Sequence, residues 1–281
     1  MTSGGATAGR VAAANARDEL LARHDVGVVG SAGSDRTLVF VHGFGTDQAM
    51  WKGFVSAFAA DWRIVLLDNA GAGNADPTAF VQSRYLNLRQ YALDLVEVLD
   101  ALGVRGAAVV GHSAGAMIAL LASLERPDVV SKLVLVAASP RYLDSDGYRG
   151  GFTDADLQQT YSAVLASFDE WVDGFTPAAM NTPDRPELAQ HFADALRRIP
   201  PQRALTVLCS ILQSDYRAEV ARVTVPTLLV HGREDFFVPD EVARYLNERI
   251  PGSRLVTVNA RGHFPHLVAP EEVVAAIRGF L

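Results

Sequence analysis

Along the chain, short runs that are apolar at nearly every position alternate with longer stretches in which apolar residues recur every three or four places. The short runs are TLVFVHG from Thr37, RIVLLDN from Arg63, GAAVVGH from Gly106, KLVLVAA from Lys132, TLLVHG from Thr227 and RLVTVN from Arg254. Apolar on both faces of the pleat, they suit parallel strands covered on both sides. HDVGVVG from His24 reads as an edge strand. Between them, LRQYALDLVEVLDALG puts Leu88, Tyr91, Ala92, Leu95, Val98, Leu99 and Leu102 on one helical face and stops at Gly103. AGAMIALLASLERP runs from Ala114 to Pro127, and two more amphipathic helices begin at Pro239 and Pro270. Strand alternating with helix predicts an α/β fold built on an open, mostly parallel, doubly wound sheet.

The alternation stops between Ser139 and Val223. Only helical patterns occupy that interval: Asp154 to Asp173, opened by Thr153 as a capping residue, then Pro186 to Ile199 and Pro201 to Ser214. An all-helical insertion after a central strand predicts a lid over the strand ends, at about residues 141–215. The remainder reads as one domain over residues 19–281. Residues 1–18 are small and weakly patterned and read as a mobile N-terminal extension.

Composition narrows the function. The 281 residues carry a formal net charge of −7, and no block of basic residues stands out, which argues against nucleic acid as a partner. No run reaches membrane-spanning length and the start does not read as a signal peptide, so the expectation is a cytoplasmic monomer with no membrane contact. The single cysteine, Cys209, cannot form an internal disulfide and is expected as a core thiol. The glycines of GAGNAD from Gly71 lack dinucleotide-binding spacing, and no Cys/His cluster has metal-ligand spacing. No cofactor and no metal are expected.

The chemistry gathers around VVGHSAGAM. Gly111 to Gly115 fits G-x-S-x-G between a predicted strand and a predicted helix, the setting of a nucleophile elbow. Ser113 needs a base, and the base needs an orienting acid. Of seven histidines, His263 lies in the loop after the last strand, with His266 as its competitor. REDFFVPD offers Glu234, Asp235 and Asp240 after the penultimate strand; Asp235 sits in the loop, whereas Asp240 follows Pro239 and reads as a helix N-cap. The order Ser113, Asp235, His263 is that of an α/β-hydrolase. The backbone N–H groups of Ala114 and Phe44 are the expected oxyanion donors, Phe44 from the HGFG loop after an early strand.

HGFGTDQAMW, LLDNAGAGNAD, GHSAGAMIALLAS, SPRYLDSDGYRGGF, WVDGFTP and GHFPHL together resemble the RsbQ-type α/β-hydrolases, a group that includes a bacterial stress regulator and the plant strigolactone and karrikin receptors. The resemblance runs from about Arg23 to the C-terminus. It implies a V-shaped lid of four helices, the triad Ser113, Asp235 and His263, and a buried hydrophobic pocket. On the matching positions Phe44, Phe152, Trp171 and Phe175 would line that pocket, with Phe236 and Val238 beside the acid as further candidates. Two activities follow. One is hydrolysis of a small, mostly apolar ester or lactone. The other is ligand capture with slow turnover, signalled to a regulatory protein that docks at the lid.

Overall fold

The computed structural model describes residues 14–281. The extension expected over residues 1–18 therefore lies outside the described residues as far as residue 13, while residues 14–18 belong to a helix, α1, over 14–23. Strand β1 (Gly27–Gly30) and strand β2 (Thr37–Val41) follow, then α2 (Lys52–Phe58), β3 (Arg63–Leu66), α3 (Leu88–Ala101), β4 (Ala107–His112), α4 (Ala114–Glu125) and β5 (Val130–Val136). After β5 come α5 (Asp154–Ala166), α6 (Phe168–Met180), α7 (Pro186–Arg197), α8 (Pro201–Leu212) and the short α9 (Arg217–Val220). Strand β6 (Thr227–Arg233), α10 (Asp240–Arg249), β7 (Arg254–Arg261), α11 (Pro265–Val268) and α12 (Pro270–Arg278) complete the chain.

The seven strands form one sheet in the order β1-β3-β2-β4-β5-β6-β7. β1 pairs antiparallel with β3, with Val28 against Val65, and every other pairing is parallel. The apolar runs behave as expected of two-sided strands. Leu38 and Phe40 of β2 face a core shared with Phe54 and Phe58 of α2 and Ile277 of α12. Val39 and Val41 face the opposite core, with Leu95 and Leu99 of α3 and Ile118 of α4. The expected face of α3 is buried from Leu88 to Leu99, and Asn87 caps its start by accepting from the Arg89 N–H.

The interval after β5 holds four long helices, α5 to α8. The single pattern expected from Asp154 to Asp173 is two helices in the structure. Ser167 breaks it: its backbone is extended (φ −157°, ψ 106°), and its hydroxyl accepts from the Glu170 N–H to start α6. A polar residue that can cap competes with helix continuation, and periodicity does not see that competition. Thr153 caps α5 through a reciprocal box with Asp156. The two ends of the insertion touch, since Arg141 bridges to Asp215 on the backbone and its guanidinium donates to the Asp215 carboxylate at 3.0 Å.

Candidate active site

Three chain segments end at the same edge of the sheet: the turn after β4, the loop after β6 and the loop after β7. The first carries Ser113, squeezed between the last residue of β4 and the first of α4, with φ 54° and ψ −119°. A non-glycine residue with positive φ is strained, and the strain points the side chain out of the turn. The flanking glycines make the turn possible. A Cβ on Gly115 would overlap the carbonyls of Val41 and His42, and one on Gly111 would overlap the carbonyl of Gly115. Helix α4 thus lies against β2 at a distance that no side chain permits, and Ser113 is held by its own N–H donating to the Val136 carbonyl at 2.9 Å.

The three polar side chains form one line. Ser113 Oγ lies 2.8 Å from His263 Nε2, and His263 Nδ1 lies 2.8 Å from Asp235 Oδ2. A carboxylate only accepts, so Nδ1 carries the ring hydrogen and Nε2 presents its lone pair to the serine hydroxyl. Asp235 is fully buried, and its other oxygen accepts from the N–H groups of Phe237 at 2.9 Å and Val238 at 3.2 Å. Its orientation is therefore set by the backbone of its own loop. The loop that carries His263 passes under α6: the His263 N–H donates to the Ala179 carbonyl at 2.8 Å, and Gly262 (φ +76°) sits where a Cβ would strike the Met180 carbonyl.

Three neighbouring histidines, His42, His112 and His266, frame this line and do not join it. His42 Nε2 accepts from the Asn69 N–H at 2.9 Å, so its Nδ1 donates to the Gly43 carbonyl at 2.8 Å and pins the loop that presents Phe44. His112 Nε2 lies 2.8 Å from the His263 carbonyl and ties down that residue's backbone. His266, the competitor for the role of base, stacks on Trp51 with ring centroids 4.7 Å apart and is buried in α11 away from the serine. Burial lowers its pKa to about 3 and also lowers those of His42 and His112, so all three rings are neutral. Asp240 is the first residue of α10, not its cap, and lies 3.5 Å from His231.

The N–H groups of Phe44 and Ala114 donate to no protein acceptor among the described residues. Ala114 opens α4, where the helix dipole favours negative charge. An apolar cavity ends at Ser113 and His263 and is bordered by Phe44, Phe175, Phe192 and Phe237, among others. Of the expected lining residues, Phe44 and Phe175 border it. The other four do not. Trp171 stacks behind Phe175 at 4.5 Å, and Phe152 packs on Phe237 at 5.7 Å. Phe236 is 47% exposed, and Val238 is buried in the core. Phe237 takes the place expected of Phe236. In a loop rather than a strand no fixed alternation tells which of two adjacent aromatics points inward. Tyr142, Phe192 and Phe264 also border the cavity. Tyr142 stands in the SPRYL segment, and its hydroxyl lies 3.5 Å from Ser113 Oγ. Phe192 has only helical periodicity as a signal, which marks a buried face without saying what it faces. Cys209 is half-buried rather than deep in the core, and burial raises its thiol pKa.

Fold, elbow and the serine–histidine–aspartate line together define an α/β hydrolase. The profile of the alpha/beta hydrolase fold matches residues 36–270, and the chain belongs to that family. Among its relatives, a probable esterase of Oryza sativa subsp. japonica is 41% identical over 255 residues, covering 90% of this chain and 94% of that protein. A karrikin insensitive 2 receptor CA of Petunia hybrida is 39% identical over the same length, with the same coverage. A solved hydrolase from Oleispira antarctica superposes with a TM-score of 0.90 at 27% identity, covering 94% of this chain and 96% of that one. Among the described residues no helix is long and apolar enough to cross a membrane.

Proposed function

We propose that this chain is a serine esterase that cleaves a small, mostly apolar ester or lactone through an acyl-enzyme. The observation that carries the reading is the continuous hydrogen-bonded line Ser113–His263–Asp235, set at the inner end of an apolar cavity. Ser113 Oγ attacks the carbonyl carbon while His263 Nε2 takes its proton. The oxyanion is received by the N–H groups of Phe44 and Ala114. His263 then returns the proton to the leaving alcohol oxygen, and Asp235 stabilises the transient imidazolium. Water deprotonated by the same nitrogen releases the acid and restores Ser113. No step needs a cofactor or a metal. The cavity admits a compact apolar group better than a charged one. Its wall is phenylalanine and aliphatic apart from Ser113, Tyr142 and the two histidines.

The test is steady-state hydrolysis of p-nitrophenyl acetate, butyrate and octanoate by the wild type beside Ser113→Ala. Loss of a triad nucleophile lowers kcat on the order of a million-fold. A Ser113→Ala protein that keeps esterase activity sinks the assignment.

A second reading is favoured by one contact. The backbone N–H of His263 is bonded to the Ala179 carbonyl of α6, so the proposed base is mechanically tied to the helices above the cavity. In this reading α5 to α8 act as a lid, and a ligand bound or acylated at Ser113 alters it. A regulatory protein then docks there, as the receptor names among the relatives suggest. The reading requires that a serine-directed acylating reagent change hydrogen exchange in α6. Unchanged exchange across α5 to α8 in fully acylated protein removes it. We place the protein in the cytoplasm as a monomer, a location supported by a sequence with one cysteine and so no internal disulfide.

A further inference from the structure

G-x-S-x-G leaves its second position open. Here that position is filled by His112, the last residue of β4, which is buried. Its ring packs against those of Phe264 and His266, with centroids 4.7 and 4.4 Å away. In such surroundings a histidine costs more than an apolar side chain unless its polar edge is used. Its Nε2 is used: it lies 2.8 Å from the His263 carbonyl. A carbonyl only accepts, so Nε2 carries the ring hydrogen and Nδ1 is a lone pair. Burial holds the pKa well below the ordinary histidine value, which keeps the ring neutral in this tautomer.

Two contacts of this ring reach the other parts of the site. Among the described residues, only two hydrogen bonds join the turn after β4 to the loop after β7: Ser113 to the His263 ring, and His112 to the His263 backbone. The first is made by the reacting atoms and is lost when Ser113 is acylated. The second involves no reacting atom and survives that step. The N–H of His263 is held by Ala179 of α6, so His112 supplies the anchor that belongs to the nucleophile's own strand. The other contact is with Gly43, which directly precedes Phe44. A Cβ on Gly43 would lie 2.9 Å from His112 Nδ1 and 3.1 Å from Ser113 Cβ. An Nδ1 without a hydrogen lets the Gly43 backbone come this close.

We propose that His112 is a positioning residue for the hydrolytic reaction. Its Nε2–H holds the His263 backbone so that the base stays within reach of the adjacent Ser113, in the free enzyme and in the acyl-enzyme alike. Its Nδ1 edge sets how closely the loop that presents the Phe44 N–H approaches the nucleophile. His112 touches no reacting atom and acts through His263 and Gly43. This role rests on the esterase reading above.

The experiment measures kcat, KM and the pH–rate profile for p-nitrophenyl butyrate in the wild type, His112→Leu, His112→Gln, His112→Asn and Ser113→Ala. Leucine fills the space without a donor. The base then shifts, and kcat falls about a hundredfold, the effect of a displacement near 1 Å, while KM changes by less than about threefold. The glutamine amide reaches the place of Nε2 and keeps kcat within about tenfold of the wild type, the worth of one imperfect hydrogen bond. The asparagine amide is one methylene shorter, misses the carbonyl and loses as much as leucine. This pair decides the matter if the leucine variant does not fold, because the two side chains share their chemistry and differ only in reach. In His112→Gln the acid limb of kcat/KM stays where it is, since the bond is to the backbone of His263 and not to its ring. A destabilised His112→Leu that keeps its kcat, equal kcat in the glutamine and asparagine variants, or a displaced acid limb overturns the positioning role and leaves the esterase intact. Turnover that persists in Ser113→Ala overturns the esterase reading itself.

Discussion

At the scale of single residues, the site separates histidines that look alike in the sequence. His263 alone has one ring nitrogen on the serine and the other on a carboxylate. His263→Ala is expected to lose nearly as much kcat as Ser113→Ala, whereas His266→Ala loses far less because its ring packs on Trp51. Ester hydrolysis by the purified variants decides this, and the reverse ranking means that the base is misassigned. Tyr142 invites a different error. Its hydroxyl is close to Ser113, yet burial pushes its pKa up to about 12. The phenol stays protonated at working pH and does not serve as the base. Tyr142→Phe is expected to lower kcat/KM by less than about tenfold, the worth of one long hydrogen bond. The pH–rate profile should keep its shape; a profile displaced by the mutation would give Tyr142 a part in proton transfer.

Among elements, the decisive junction is the loop after β7 where it passes under the C-terminal end of α6. Gly262 allows the approach, and the His263 N–H bond to Ala179 secures it. Gly262→Ala is strained on two counts, a positive φ and a Cβ driven into the Met180 carbonyl. The loop must move off α6 and carry the imidazole with it. A displacement near 1 Å of a reacting group is worth about a hundredfold in rate, and the backbone strain costs about 1–3 kcal/mol. Kinetics combined with denaturant unfolding separate the two effects. A variant destabilised but with unchanged kcat would show that the loop does not position His263. The exposed ion pairs of Arg197 with Asp169 and Asp173, between α7 and α6, are by contrast worth little.

The whole molecule buries His24, His42, His112, His231 and His266, and burial is the first cause of a lowered pKa at each. A ring kept neutral when folded binds its proton more readily when unfolded. Stability is therefore undiminished above the ordinary histidine value of 6.5 and falls as pH drops through it, continuing for His266 down to about 3. Each such histidine contributes a slope of up to ~1.4 kcal/mol per pH unit in that window. His266→Phe keeps the stack on Trp51 and is expected to flatten the dependence by up to that amount. Denaturant unfolding at pH 7.5, 6 and 5 measures it, and parallel slopes for wild type and variant would mean that His266 does not enter the titration.

Local chemistry makes most of this molecule legible in its sequence. Val39 and Phe40 point to opposite faces and both are apolar, so β2 announces itself as a central parallel strand whatever surrounds it. G-x-S-x-G is likewise a local requirement: Gly111 and Gly115 are needed by the turn itself, and Ser113, Asp235 and His263 can meet because the parallel strands that precede them all end at one edge. Ser167 is harder to read, because a serine can continue a helix or cap the next one, and periodicity does not distinguish the two. Facing is not legible at all. Whether Phe236 or Phe237 enters the cavity depends on the path of a loop. Whether Trp171 or Phe175 lines it depends on how α6 rotates over the sheet. Period and motif record what a residue needs of its own element, and only packing decides which residues from distant elements share a wall.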